Sequence, residues 1–128
     1  MNPYSALKRV SDESIRTIEI AEHHLHNIVR NAITLVVVDE EWYLSKYPDV
    51  ADAINQGEAE SAKDHYVMYG YFEDRLPREL IVDEEWYCSR YADVAEAIRT
   101  GKIASAQQHF ETNGFKEGRL PHSDWGLL

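Results

Sequence analysis

The chain has 128 residues, with 13 basic and 23 acidic side chains and a formal charge of −10 at pH 7. A chain of this length can bury a real core, and 44% hydrophobic with 28% charged residues excludes wholesale disorder. The acidic excess repels phosphate backbones and anionic bilayers, so neither nucleic acid nor membrane insertion is expected.

Residues 1–37 read as an N-terminal helical arm. They carry four basic and four acidic side chains. Ser11, followed by Asp12 and Glu13, suits a helix start. Ile18, Ala21, Leu25, Ile28, Ala32 and Leu35 then recur at alternating steps of three and four, a heptad seam. Ile15, Val29 and Ile33 widen the stripe. Such a helix can cover the rest of the chain, self-associate through residues 11–37 into a homo-oligomer, or do both. Leu35 to Val38 is the longest apolar run, far below the roughly 20 residues that span a bilayer. As an alternative to the end of the helix, it can form a short strand or an extended linker. His23, His24 and His26 point in different directions on a helix and do not converge on one metal.

A repeat begins at Val38. Aligned with a 44-residue shift and no gap, positions 38–77 and 82–121 share 22 of 40 residues. Chance would give about 2 or 3, and a period of this size marks stacked supersecondary units. The division is therefore arm 1–37, repeat one 38–81 and repeat two 82–128. Each repeat reads as three short helices. Asp39 and Asp83 cap the first, with Val38/Tyr43 and Val82/Tyr87 at hydrophobic-staple spacing. Asp49 and Asp93 are placed to cap the second, and Gly57 and Gly101 to stop it with left-handed backbone. Ser61 and Ser105 suit the third cap, with Asp64 and Gln108 three residues on, and Gly70 and Gly114 are expected to end that helix. No period-two alternation persists, so the expected fold is all-α: a long N-terminal helix followed by two tandem three-helix repeats.

No phosphate loop, dinucleotide fingerprint or Gly-x-Ser-x-Gly occurs, and no cofactor is implied. A Ser61–His65–Asp49 relay can be drawn, but Ser61 and Asp49 are better used as caps, so an enzyme is not expected. Cys88 stands where repeat one has Leu44, an exchange that suits apolar packing. The polar and aromatic residues present twice are Trp42/Trp86, Tyr43/Tyr87, Tyr47/Tyr91, Asp49/Asp93, His65/His109 and Arg75/Arg119. Flat rings beside hydrogen-bonding tips can form a recognition surface or anchor a core. The candidate ligand-binding set is Trp42, Tyr47, His65, Arg75, Trp86, Tyr91, His109 and Arg119. Arg75 and Arg119 also suit pairing with the repeat's own carboxylates or helix-end carbonyls, and His65 packing between helices with a bond to a backbone carbonyl.

The pattern Asp-x-x-Trp-Tyr-Leu-x-x-Tyr-Pro-Asp-Val-Ala-x-Ala-Ile, then Ser-Ala-x-x-His-Tyr, then Gly-x-x-Glu-x-Arg-Leu-Pro resembles a short module of bacterial surface-polysaccharide proteins. Such modules occur beside glycosyltransferases and in large surface proteins, often in tandem. The resemblance covers 38–77 and 82–121. Repeat two departs from it at Ala92 and Cys88, and repeat one at Asp74. It implies a noncatalytic module that recognises bacterial surface or capsular polysaccharide, displayed on a cell surface or a phage-like particle. The alternative is an oligomerising adaptor that docks onto a larger assembly or a polysaccharide-synthesis enzyme. No secretory leader is visible, so the expected location is the cytoplasm, a particle or a surface assembly.

Overall fold

The structure, a computed structural model, describes residues 15–127. It is all-α: seven α-helices and no strand occur among the described residues. The first, α1, spans Glu22–Ile33. Repeat one holds α2 (Glu40–Lys46), α3 (Pro48–Asn55) and α4 (Ala62–His65). α4 runs on into a π-helical segment, Tyr66–Gly70, and a 3₁₀ turn, Tyr71–Glu73. Repeat two holds α5 (Glu84–Arg90), α6 (Ala92–Arg99) and α7 (Ala106–His109), with its own π-helical segment at Phe110–Gly114. No described helix is long and apolar enough to cross a membrane.

The local chemistry explains most of these boundaries. The Asp39 and Asp83 carboxylates accept from the Trp42 and Trp86 backbone N–H groups at 3.0 and 3.1 Å. The Ser61 and Ser105 hydroxyls accept from Asp64 N and Gln108 N at 3.0 Å. Glu40 and Glu84 reach across from α2 and α5 to the first N–H groups of α4 and α7, accepting from Lys63 N and Ala106 N. Gly57 and Gly101 take φ of 79° and 78°, as a left-handed stop requires.

Several expectations need correction. The arm is not one long helix. Ile15 to Ala21 makes no helical turn, and α1 begins at Glu22 with Ala21 extended. β-Branched Ile15, Thr17, Ile18 and Ile20 are indifferent helix formers, and all four are exposed with no packed face to hold them. The expected start at Ser11 lies outside the described residues. Asp49 and Asp93 are not caps. Tyr47 and Tyr91 occupy the cap positions, and Asp49 is the second residue of its helix, committed to an arginine. Gly70 and Gly114 do close the π-helical segments that continue the third helices, as expected. Gly70 is helical (φ −59°) and the 3₁₀ turn continues past it. The left-handed turn comes later, at Asp74 (φ 60°) and Gly118 (φ 78°).

Each repeat is closed on itself, because Asp39 N donates to the Pro77 carbonyl and Asp83 N to the Pro121 carbonyl, both at 3.0 Å. Two cores result. The first holds Tyr43, Val50, Ala62 and Tyr66, completed by Ile33 and Val36 from the end of the arm. The second holds Tyr87, Val94, Ala106 and Phe110, completed by Leu76 and Leu80 from the end of repeat one. Val36 and Leu80 are 44 residues apart and play the same part. Trp42 is half-buried and packs against both cores, whereas Trp86 packs on the second alone. The arm is fixed through His26, whose ring lies 4.7 Å from Phe72. Arg30 adds its guanidinium 5.0 Å over the same ring and a bond to the Met68 carbonyl.

Candidate functional site

The turn at Asp74 reverses the chain and returns Arg75 across α3. Arg75 N donates to the Gly70 carbonyl at 2.9 Å. The guanidinium then lies 4.9 Å over the Tyr47 ring and donates twice to Asp49, at 3.0 and 2.7 Å. Its Nε is 3.6 Å from Glu73. The Tyr47 hydroxyl accepts from Leu76 N at 2.8 Å. Two-point binding to a carboxylate fixes orientation as well as charge. The Arg75 guanidinium accordingly holds the Asp49 carboxyl below its ordinary range. Repeat two copies the arrangement: Arg119 on Asp93 at 2.8 and 2.7 Å, over Tyr91 at 4.8 Å, with Tyr91 Oη accepting from Leu120 N. Here Arg119 pulls the Asp93 carboxyl down to about 2.

His65 lies behind this pair. The sequence suggested a backbone carbonyl as its partner. The partner is instead the Tyr43 hydroxyl, 2.9 Å from Nδ1, because both side chains face inward from α2 and α4. Burial raises the Tyr43 phenol above its ordinary value, so it keeps its proton. Burial first, and the Arg75 charge second, lower the His65 pKa, so the imidazole is neutral. The Tyr43 hydroxyl and His65 Nδ1 share one hydrogen bond whose direction follows the ring tautomer: with the phenol donating, the ring proton sits on Nε2. Tyr87 and His109 repeat the contact at 2.9 Å.

In repeat one these groups border an open cleft of about 580 Å³, lined by Asp49, Glu58, Ala59, His65, Tyr69, Glu73 and Arg75 together with Ala53. His65 is only 8% exposed, and its Nε2 has no partner among the described residues. Tyr69, 53% exposed, holds its ring 5.7 Å from the imidazole. Repeat two keeps the skeleton and changes this lining. Glu58 becomes Lys102, Tyr69 becomes Asn113, and Ala59 becomes Ile103, which packs on the second core.

Of the eight expected site residues, only His65 and Arg75 meet in this cleft. Tyr47 and Tyr91 support the arginines from beneath, and His109 and Arg119 hold the matching internal bonds of repeat two. Trp42 opens on a separate shallow pocket with Asp39, Glu41 and Ser45, and Trp86 stands edge-on to Tyr91 at 6.3 Å. Ser61, His65 and Asp49 form no relay, since each bonds a different group. Among the described residues no three His, Cys, Asp or Glu side chains are placed to hold a metal ion. Sequence reasoning missed Tyr69, Glu58 and Glu73. Tyr69 and Glu58 fall where the repeats differ, and attention to those departures would have found both.

No protein-family model matches the chain, and no similar curated protein or solved structure was found.

Proposed function

We propose that the chain is a noncatalytic binding module for bacterial surface or capsular polysaccharide, with its glycan site in the repeat-one cleft. The observation that carries this reading is the buried His65, with an unpartnered Nε2, in an open cleft beside an exposed Tyr69 ring. The C–H face of a pyranose would lie on Tyr69. Its hydroxyls would accept from His65 Nε2–H and donate to Glu58 and Glu73. Arg75 is already matched by Asp49, so the cleft keeps a negative excess. Neutral or amino sugars suit it, and uronates do not. Display on a cell surface or phage-like particle would give the module its ligand.

Calorimetric titration of the full chain with neutral and uronate-bearing oligosaccharides tests this. Binding confined to the neutral set, weakened at least about tenfold by Tyr69→Ala, is the expected result. Tyr69 is surface-exposed, so that variant should keep its fold. No binding to either set, or binding unchanged by Tyr69→Ala, would overturn the assignment.

A second reading is an oligomerising adaptor that docks onto a larger assembly or a polysaccharide-synthesis enzyme. It is favoured by the internal use of Tyr47, Tyr91, Arg75 and Arg119 and by the apolar arm residues left uncovered. Deleting residues 1–37 would not test it cleanly, because Ile33 and Val36 belong to the first core.

A further inference from the structure

The stripe that reads as one wide face in the sequence is two faces in the fold. His26, Val29, Arg30 and Ile33 dock α1 on repeat one. At 100° per residue their mean direction lies about 120° from that of the heptad seam. On α1 the seam residues Leu25 (45% exposed), Ile28 (51%) and Ala32 face outward, and Leu35 (73%), just past the helix end, is exposed too. Both faces can therefore be occupied at once. The same seam continues upstream into Ile18 (86% exposed) and Ala21, where the chain is not helical.

We propose that this seam pairs with the seam of a second copy of the chain, and that residues 15–21 become helical as it does. The proposal rests on the adaptor reading and is independent of the glycan cleft. Three observations select a second copy as occupant. The three–four spacing is the one that lets identical helices interlock, and Ile18 and Ala21 complete it only if the helix extends. Residues 15–37 carry Arg16 and Arg30 against Glu19 and Glu22, so identical arms meet without net repulsion, while the whole chain carries −10. A basic partner would find its complement on the repeats rather than on this neutral seam. Finally, four of the six residues 15–20 are β-branched and only indifferent helix formers. The segment gains a reason to be helical only when burial of Ile18 offsets the cost of ordering.

Light scattering and far-ultraviolet circular dichroism of the full chain over a wide concentration range test both parts. Association accompanied by a helical gain of about seven residues per chain, the length of 15–21, is expected. Ile28→Glu should weaken it by at least about tenfold, the loss of one buried aliphatic contact per protomer, without changing the melting temperature of the dilute monomer. Ile18→Pro lies outside α1 and should weaken association and abolish the helical gain. A chain that stays monomeric at high concentration would overturn both the pairing and the adaptor reading's assembling arm. Association that survives Ile28→Glu would overturn the seam while leaving an adaptor intact. Association with no gain in helix would overturn the folding step.

Discussion

Gly70 and Tyr43 are 27 positions apart, yet the fold makes them one feature. A Cβ on Gly70 would collide with the Tyr43 hydroxyl, and Gly114 stands in the same relation to Tyr87. The glycine is there to let the phenol reach His65, since its own backbone is helical. Gly70→Ala should therefore destabilise by about 1–3 kcal/mol through overpacking, although alanine is the better helix former. Tyr43→Phe removes the oxygen and should itself cost about 1–2 kcal/mol by leaving His65 Nδ1 unbonded. Combined, the two should cost less than their sum by about 1 kcal/mol or more, because the collision is gone. Denaturant titration of the parent chain and the three variants checks this, and strict additivity would refute it. Residues that act through their immediate neighbours were legible in the sequence: the Asp39 and Ser61 caps and the Gly57 stop were all read correctly. Asp49 was not, because an aspartate near a helix start suits capping equally well. Only the fold brings Arg75, 26 residues on, to its carboxylate.

At the level of helices and their connections, the repeats do not contribute equally to the cores. Leu76 is fully buried in the second core, while Leu120, its counterpart 44 residues later, is exposed. Leu76→Ala should cost about 2–5 kcal/mol through cavity formation, and Leu120→Ala less than about 1 kcal/mol. Thermal melts of the two variants separate the cases, and equal losses would show that the second core does not lean on the end of repeat one as described. The all-α class was readable from periodicity because each helix buries one face. The extent of α1 was not. A seam at heptad spacing is a statement about what can pair, and an isolated helix forms only where packing supports it. Packing on repeat one supports 22–33 and leaves 15–21 without a partner among the described residues. The candidate cleft was half legible for a related reason. The repeat exposed the shared skeleton of Tyr, His, Asp and Arg, whereas ligand contact depends on what each copy does not share.

For the molecule as a whole, pH acts through two opposing effects. Acid reduces the formal charge of −10 and so relieves self-repulsion. It also protonates groups that the fold holds otherwise. The folded His65 pKa lies below its ordinary value of 6.5, chiefly because the ring is buried. The unfolded chain therefore takes up that proton first. The stability it contributes is complete above about pH 7 and falls as pH drops below 6.5 toward the lower folded value. Asp49 and Asp93 are depressed by their arginines, so their contribution is complete above the ordinary carboxylate value and is lost only below about pH 4. The His65 loss therefore begins at higher pH than the carboxylate loss. His65→Gln retains a group able to accept from Tyr43 but does not titrate, and it leaves the net charge of the chain above pH 7 unchanged. Subtracting its stability profile from that of the parent chain cancels the change in self-repulsion. The difference should be flat from pH 7 to 9 and should turn against the parent between pH 6.5 and 5. A difference that is flat down to pH 5 would mean that His65 is protonated as easily in the fold as outside it, which its burial behind Tyr43 and Arg75 does not allow.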